Sequence, residues 1–135
     1  MLATSLSAFA LLGAGDGTFA RLAPLLDGDA TRESSFKAIT LGDLDADGRL
    51  DIVVFSLAGS SGEPSLNVWR GKGDGTFEHP VRYHAPFITE MALADVDGDG
   101  KLDVVASDPQ SVTVYRGLGD GRLRCSELSV ASVSN

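Results

Sequence analysis

Two stretches of this chain are close copies of one another: residues 42–54 read GDLDADGRLDIVV and residues 94–106 read ADVDGDGKLDVVA. Asp43 matches Asp95, Asp45 matches Asp97, Asp47 matches Asp99, Gly48 matches Gly100 and Asp51 matches Asp103, each pair 52 positions apart. A second motif recurs out of phase with the first, as LLGAGDGTFA at 11–20, WRGKGDGTFE at 69–78 and YRGLGDGRLR at 115–124. Its spacings of 58 and 46 average to the same 52. Two unrelated motifs with one mean period mark a modular repeat, and periods of about 20–50 residues or slightly more belong to solenoids, propellers and arrays.

Within one period the elements are short and β-like. Ile52 to Phe55 and Val104 to Ala106 are continuous apolar runs of the kind that fit buried strands. Leu66 to Trp69 and Val112 to Tyr115 are rich in β-formers and lead straight into Gly-x-Gly-Asp-Gly turns at 71–75 and 117–121, followed by Phe77 and Leu123. That order of strand, glycine turn and strand predicts a hairpin. Phe36 to Leu41 and Phe87 to Leu93 supply one more strand ahead of each Asp-rich loop. Four strands per period, with no sustained helical periodicity, predict a small four-stranded antiparallel sheet, which is the form of a propeller blade. The expected fold is therefore all-β, built of β-propeller blades over 1–135: a half blade at 4–25 and full blades at 36–83 and 87–130. Leu6 to Leu12 has the apolar character of a signal-peptide core but no basic leader, and it aligns with the strand before the turn at 71–75, so a strand is expected there.

Composition narrows the partners. With 11 basic and 19 acidic residues the formal charge is −8, which disfavours a phosphate-backbone partner and favours a cation. No apolar run approaches the roughly 18 residues of a spanning helix, so a soluble protein without a membrane span is expected. Cys125 is the one cysteine and cannot form an intramolecular disulfide.

Eight of the 19 acidic residues fall in the two repeated loops. Asp-x-Asp-x-Asp-Gly-x-x-Asp puts carboxylates at loop positions 1, 3, 5 and 9, and hard divalent cations take six to eight oxygen ligands, Ca²⁺ tolerating irregular geometry. The expected metal ligands are Asp43, Asp45, Asp47, the backbone carbonyl of Arg49, and Asp51, with Asp95, Asp97, Asp99, the carbonyl of Lys101, and Asp103 in the second loop. Gly48 and Gly100 would take the strained conformation after the third aspartate. Position 7 would matter through its carbonyl, not its side chain. An EF-hand loop begins the same way but needs Glu at position 12, where this chain has Val54 and Ala106 inside predicted strands. Without a counter-ion, four carboxylates in nine residues would repel one another. Two Ca²⁺ ions, one per loop, would bring the charge from −8 to about −4. The ion is expected to be structural, pinning the loop between two strands.

Other polar residues read as structural. Asp16, Asp74 and Asp120 sit in hairpin turns, where Asp-Gly is ordinary turn chemistry. Asp27, Asp29 and Glu33 have the wrong spacing for a metal loop, His79 and His84 have no ligand partner at metal spacing, and Cys125 has no base partner. Trp69 and Tyr115 are packing residues at equivalent positions. No nucleophile elbow, phosphate loop or dinucleotide fingerprint is present, and no catalytic residue is assigned.

The alternation of Asp-x-Asp-x-Asp-Gly-x-Leu-Asp with the LLGxGDGTF motif resembles the FG-GAP/VCBS repeat family, over nearly the whole chain. Members are blades of integrin-α-like β-propellers in integrin α subunits, bacterial surface proteins and some fungal lectins. The resemblance implies Ca²⁺ on the ten positions named above. The literal Phe-Gly and Gly-Ala-Pro signatures of integrin repeats are absent, which places the chain nearer the bacterial VCBS-like branch. Closed propellers have about four to eight blades. Two and a half imply either homo-oligomerisation into a ring or the remaining blades of a longer chain. A non-enzymatic module for protein or ligand binding or scaffolding is expected, with a carbohydrate-binding lectin as the alternative and a propeller enzyme further behind. An extracellular, periplasmic or cell-surface setting would supply the calcium.

Overall fold

The computed structural model describes residues 9–24, 35–58 and 61–126. Ten strands and no helix occur among them. A hairpin of β1 (Phe9–Gly13) and β2 (Phe19–Pro24) comes first. The first four-stranded sheet is an antiparallel meander of β3 (Ser35–Gly42), β4 (Asp51–Ala58), β5 (Glu63–Trp69) and β6 (Val81–His84). The second repeats that order with β7 (Glu90–Ala94), β8 (Asp103–Ser107), β9 (Val112–Gly117) and β10 (Leu123–Ser126). The four-stranded, blade-like sheets expected from the period are present.

The continuous apolar runs become the inner strands of each sheet, covered on both faces in the first sheet and mainly on one face in the second. Asp51 to Ser56 of β4 and Ser65 to Trp69 of β5 are buried throughout. Alternation decides which core each side chain joins. Val53, Phe55, Leu66 and Val68 project toward the second sheet and meet Val104, Ala106, Tyr115 and Leu123 in the main core. Leu44, Ala85 and Ile88 close that core from the connections, and Phe87 sits edge-on to Phe55 at 6.0 Å between ring centroids. The sheets come together along β3 and β7, where Gly42 packs so closely that a Cβ would lie 2.4 Å from Leu93 Cδ1.

On its other face the first sheet carries a smaller apolar cluster of Ile52, Val54 and Trp69, flanked by Phe36 and Phe77. A buried polar group of Ser56, Ser65 and Asn67 shares that face, with Asn67 Nδ2 donating to both hydroxyls at 3.1 and 3.2 Å. Trp69 and Tyr115 are thus packing residues, as expected. Each pairs across its sheet with the residue that follows the ninth-position aspartate, Ile52 or Val104. Tyr115 faces the preceding sheet, and Trp69 occupies the matching face of its own.

Two boundaries differ from expectation. After the second glycine turn the chain enters β10 at once, but after the first Phe77 forms only an isolated bridge to Gly71 and β6 begins at Val81. Pro80 lies in the gap, and a residue without an N–H cannot extend the ladder. Phe87, expected to begin β7, precedes it by three residues and packs as a connector. Half-blade residues 4–8 and 25, the last residues of the 87–130 unit, Asp27, Asp29 and Glu33, and the burial of Cys125 lie outside what is described.

Candidate metal centre

Each Asp-rich loop connects the first two strands of its sheet, and its conformation is written by its own carboxylates. Asp43 sits just past β3 and accepts from the amides of Asp47 at 3.1 Å and Gly48 at 2.8 Å. Asp95 does the same for Asp99 at 3.1 Å and Gly100 at 2.8 Å, and also takes Gly98 at 2.8 Å. Asp47 then accepts from the amide of Arg49, and Asp99 from that of Lys101, at 2.8 and 2.9 Å. Asp45 and Asp97 each reach the amide two residues on at 3.3 and 3.2 Å. Gly48 and Gly100 both have φ of 83°, as expected for the residue after the third aspartate. The fourth loop position is also left-handed: Gly98 has φ 76°, but its counterpart Ala46 has φ 60° and bears a strain of about 1 kcal/mol.

The ninth-position aspartates take a different place. Asp51 and Asp103 are fully buried. Asp51 Oδ2 accepts from Leu44 N at 2.8 Å and Oδ1 from Gly71 N at 2.9 Å. Asp103 repeats this with Val96 N at 2.9 Å and Gly117 N at 2.8 Å. Each carboxylate thus ties the start of its loop to a glycine at the end of the third strand, Gly117 as the last residue of β9 and Gly71 two residues past β5. Gly71 and Gly117 are needed by proximity, since a Cβ there would lie 2.1 Å from Leu50 O or 2.0 Å from Leu102 O.

Ligand-forming oxygens converge in both loops. Oxygens of Asp43, Asp45 and Asp51 lie within 4.8 Å of one another, as do those of Asp95, Asp97 and Asp99. Positions 1 and 3 are common to both groups; Asp47 and Asp103 stand outside them. The donors are all hard carboxylate oxygens, which fit a hard divalent cation. Burial, followed by the charges of Asp51 and Asp47, pushes the Asp45 carboxyl above its ordinary range.

The cations of the loops were under-read from sequence. Arg49 and Lys101, assigned a role through their carbonyls, also pair with Asp47 at 3.5 Å and Asp99 at 3.6 Å and lay their stems over Gly73 and Gly119. Arg70 and Arg116 were not singled out, yet Arg70 Nη1 lies 4.0 Å from Asp45 Oδ2 and Arg116 Nη1 donates to Asp97 Oδ2. Their one sequence signal was a shared position directly after Trp69 and Tyr115. The turn aspartates behave as expected: Asp16 and Asp74 each accept from the amide and hydroxyl of the threonine two residues on, and Asp120 accepts from Arg122 N at 3.0 Å. His79 and His84 are exposed.

Two outcomes follow from this geometry. Asp51→Asn in EDTA should cost about 2–3 kcal/mol by urea denaturation, because an amide cannot accept from both buried N–H groups. Asp47→Asn, exposed and able to keep its backbone bond, should stay within about 0.5 kcal/mol. Equal losses in the two variants would overturn the division of labour between positions 5 and 9.

Acid should also destabilise the chain. The carboxyls of Asp43 and Asp95 are held below their ordinary 3.8 chiefly by the amides of Gly48 and Gly100, and Asp16, Asp74 and Asp108 by the hydroxyls of Thr18, Thr76 and Ser111. A lowered folded-state value means that the unfolded chain binds more protons, so this stability is present above 3.8 and lost as the pH falls through the folded values. Asp45 acts in the opposite sense but is one group against five. In EDTA the urea midpoint should rise from about pH 3 to about pH 5 and then level. A midpoint that is flat or falls over that range would contradict it.

The FG-GAP-like repeat family matches this chain twice, at residues 55–106 and 95–133. No curated protein matches it. Both matches carry the second Asp-rich loop, and the first runs from the second strand of one sheet into the second strand of the next, so the sequence repeat is offset from the sheet. With more than half of its residues matched, and with two repeated sheets each holding an Asp-rich loop between its first strands, the chain belongs to the FG-GAP-like repeat family.

Proposed function

We propose that this chain is a Ca²⁺-stabilised propeller module for binding or scaffolding, with one structural ion in each Asp-rich loop. The observation that carries the reading is the convergence of three carboxylates in each loop at equivalent places of two sheets. Asp43, Asp45 and Asp51 would serve the first ion and Asp95, Asp97 and Asp99 the second, with the remaining aspartates and the carbonyls of Arg49 and Lys101 completing the shells. Loops already folded around backbone bonds offer their oxygens without a large ordering cost. The role is non-enzymatic, and an extracellular or cell-surface setting, where Ca²⁺ is plentiful, suits sites of this kind.

Calcium at about 10 mM, some 10–100 times the dissociation constant of an extracellular-type site, should add about 1.4–2.7 kcal/mol per loop. With both loops loaded, the melting temperature should rise by roughly 10–20 °C over EDTA. An unchanged melt would remove structural calcium from the reading.

The module is further proposed to complete its propeller with other sheets, from a second copy or from a longer chain. Support comes from the face of the first sheet bearing Trp69, which matches the face of the second sheet that is covered by a neighbour, and from a hairpin, β1–β2, with half the strands of a blade. Light scattering on the 135-residue chain should give a mass above 14.0 kDa. A folded species at 14.0 kDa would overturn self-association.

A further inference from the structure

Arg70 and Arg116 occupy equivalent positions and face equivalent carboxylates, Asp45 and Asp97, at the third position of each loop. Their surroundings differ in one charge. Across the hairpin from Arg70 stands Glu78, whose backbone N–H donates to Arg70 O at 2.8 Å and whose carboxylate takes the guanidinium Nη2. Arg70 Nη1 also donates to the carbonyl of Asp120 in the second sheet at 3.4 Å, and its stem lies over Gly121 so closely that a Cβ there would be 2.3 Å from Arg70 Cδ. The guanidinium is thus anchored away from the loop and stays 4.0 Å from Asp45.

In the second sheet the position of Glu78 is held by Arg124, the direct cross-strand partner of Arg116. Like charges placed opposite one another in a sheet repel. Arg124 offers Arg116 no carboxylate, and the Arg116 guanidinium donates directly to Asp97 Oδ2.

We infer that the two aspartate loops are inequivalent cation sites: Arg116 competes for the Asp97 carboxylate of the second loop, while Glu78 and Asp120 hold Arg70 back from Asp45 in the first. The inference rests on the calcium reading above. A guanidinium already on a ligand oxygen must leave, or share it, before that oxygen can serve a divalent ion, and its positive charge opposes the ion in either case. The second loop therefore binds Ca²⁺ more weakly, by about three- to tenfold. Arg124 controls this difference through Arg116 without touching the loop.

The test is a Ca²⁺ titration of the ¹⁵N-labelled chain at about 0.15 M ionic strength, following the amides of Gly48 and Gly100. Each donates to the first aspartate of its own loop at 2.8 Å and so reports on that loop separately. Gly48 should reach half-shift at a three- to tenfold lower Ca²⁺ concentration than Gly100. Arg116→Gln and Arg124→Glu should each bring Gly100 toward Gly48, and Glu78→Gln should weaken the Gly48 response by freeing Arg70. Arg122→Glu makes the same charge change as Arg124→Glu from a residue paired with Asp120 at 3.1 Å, and should leave most of the difference in place. Coincident titrations, or a Gly100 response that Arg122→Glu tightens as much as Arg124→Glu, would overturn the inference and leave the calcium reading standing. No shift at either glycine up to about 10 mM Ca²⁺ would overturn both.

Discussion

The buried carboxylates of Asp51 and Asp103 are the contacts on which each sheet depends. Burying an ionised carboxylate without partners costs several kcal/mol, so the fold must bring donors to it. Here the donors are two backbone amides from segments seven and twenty residues away for Asp51, and seven and fourteen for Asp103. One bond closes the loop on itself, and the other draws the end of the third strand against it. That second bond also explains the glycines at 71 and 117, because the same approach sets the backbone against Leu50 O and Leu102 O. The Asp-rich loop is therefore continuous with the hydrophobic core, whose Val53 and Val104 follow two and one residues after these aspartates.

With that staple in place, the other carboxylates of each loop are ordered nearer the surface, exposed at Asp95, Asp97 and Asp99 and half-buried at Asp43 and Asp45. Asp43 and Asp95 collect the amides that turn the loop, and the third-position aspartates are left with oxygens directed to whatever positive charge is near. The bonds that shape each loop run between its own carboxylates and its own amides. Burial first, and then the charges of Asp51 and Asp47, raise the Asp45 carboxyl, and a cation beside it would offset both the lost solvation and the repulsion. The surplus negative charge of the chain has the same origin: it is concentrated where backbone amides, arginines and lysines only partly balance it.

Much of this was legible in the sequence because repetition filters chance. A single Asp-x-Asp-x-Asp-Gly is ambiguous, but the same pattern 52 residues on, each time followed by an apolar run, selects a loop that leads into a buried strand. The strand pairs and the glycine turns followed from the same comparison. The two amide bonds of the ninth-position aspartate did not, because spacing alone does not show which backbone N–H groups a carboxylate meets; Asp51 makes both bonds and also joins the first carboxylate group. The early loss of pairing after Phe77 was also missed, although Pro80 carried the signal locally. The arginines were missed for a third reason. Their importance lies in cross-strand neighbours, and the partner of residue 116 is known only once the hairpin register is known.

Where the two copies differ is accordingly more informative than where they agree. The agreements, from the buried aspartates to the glycines they bond, are demands of one loop geometry and recur wherever it is built. Ala46 against Gly98, and Glu78 against Arg124, satisfy no such demand. The first leaves the loop backbone strained on one side only, and the second reverses the charge facing an otherwise equivalent arginine. Neither change disturbs the sheet, because both residues lie outside the apolar clusters and the staple. A repeat fold of this kind keeps its scaffold fixed through buried groups and leaves the electrostatics of each loop to exposed residues one strand away. Two loops with the same aspartates then need not bind alike.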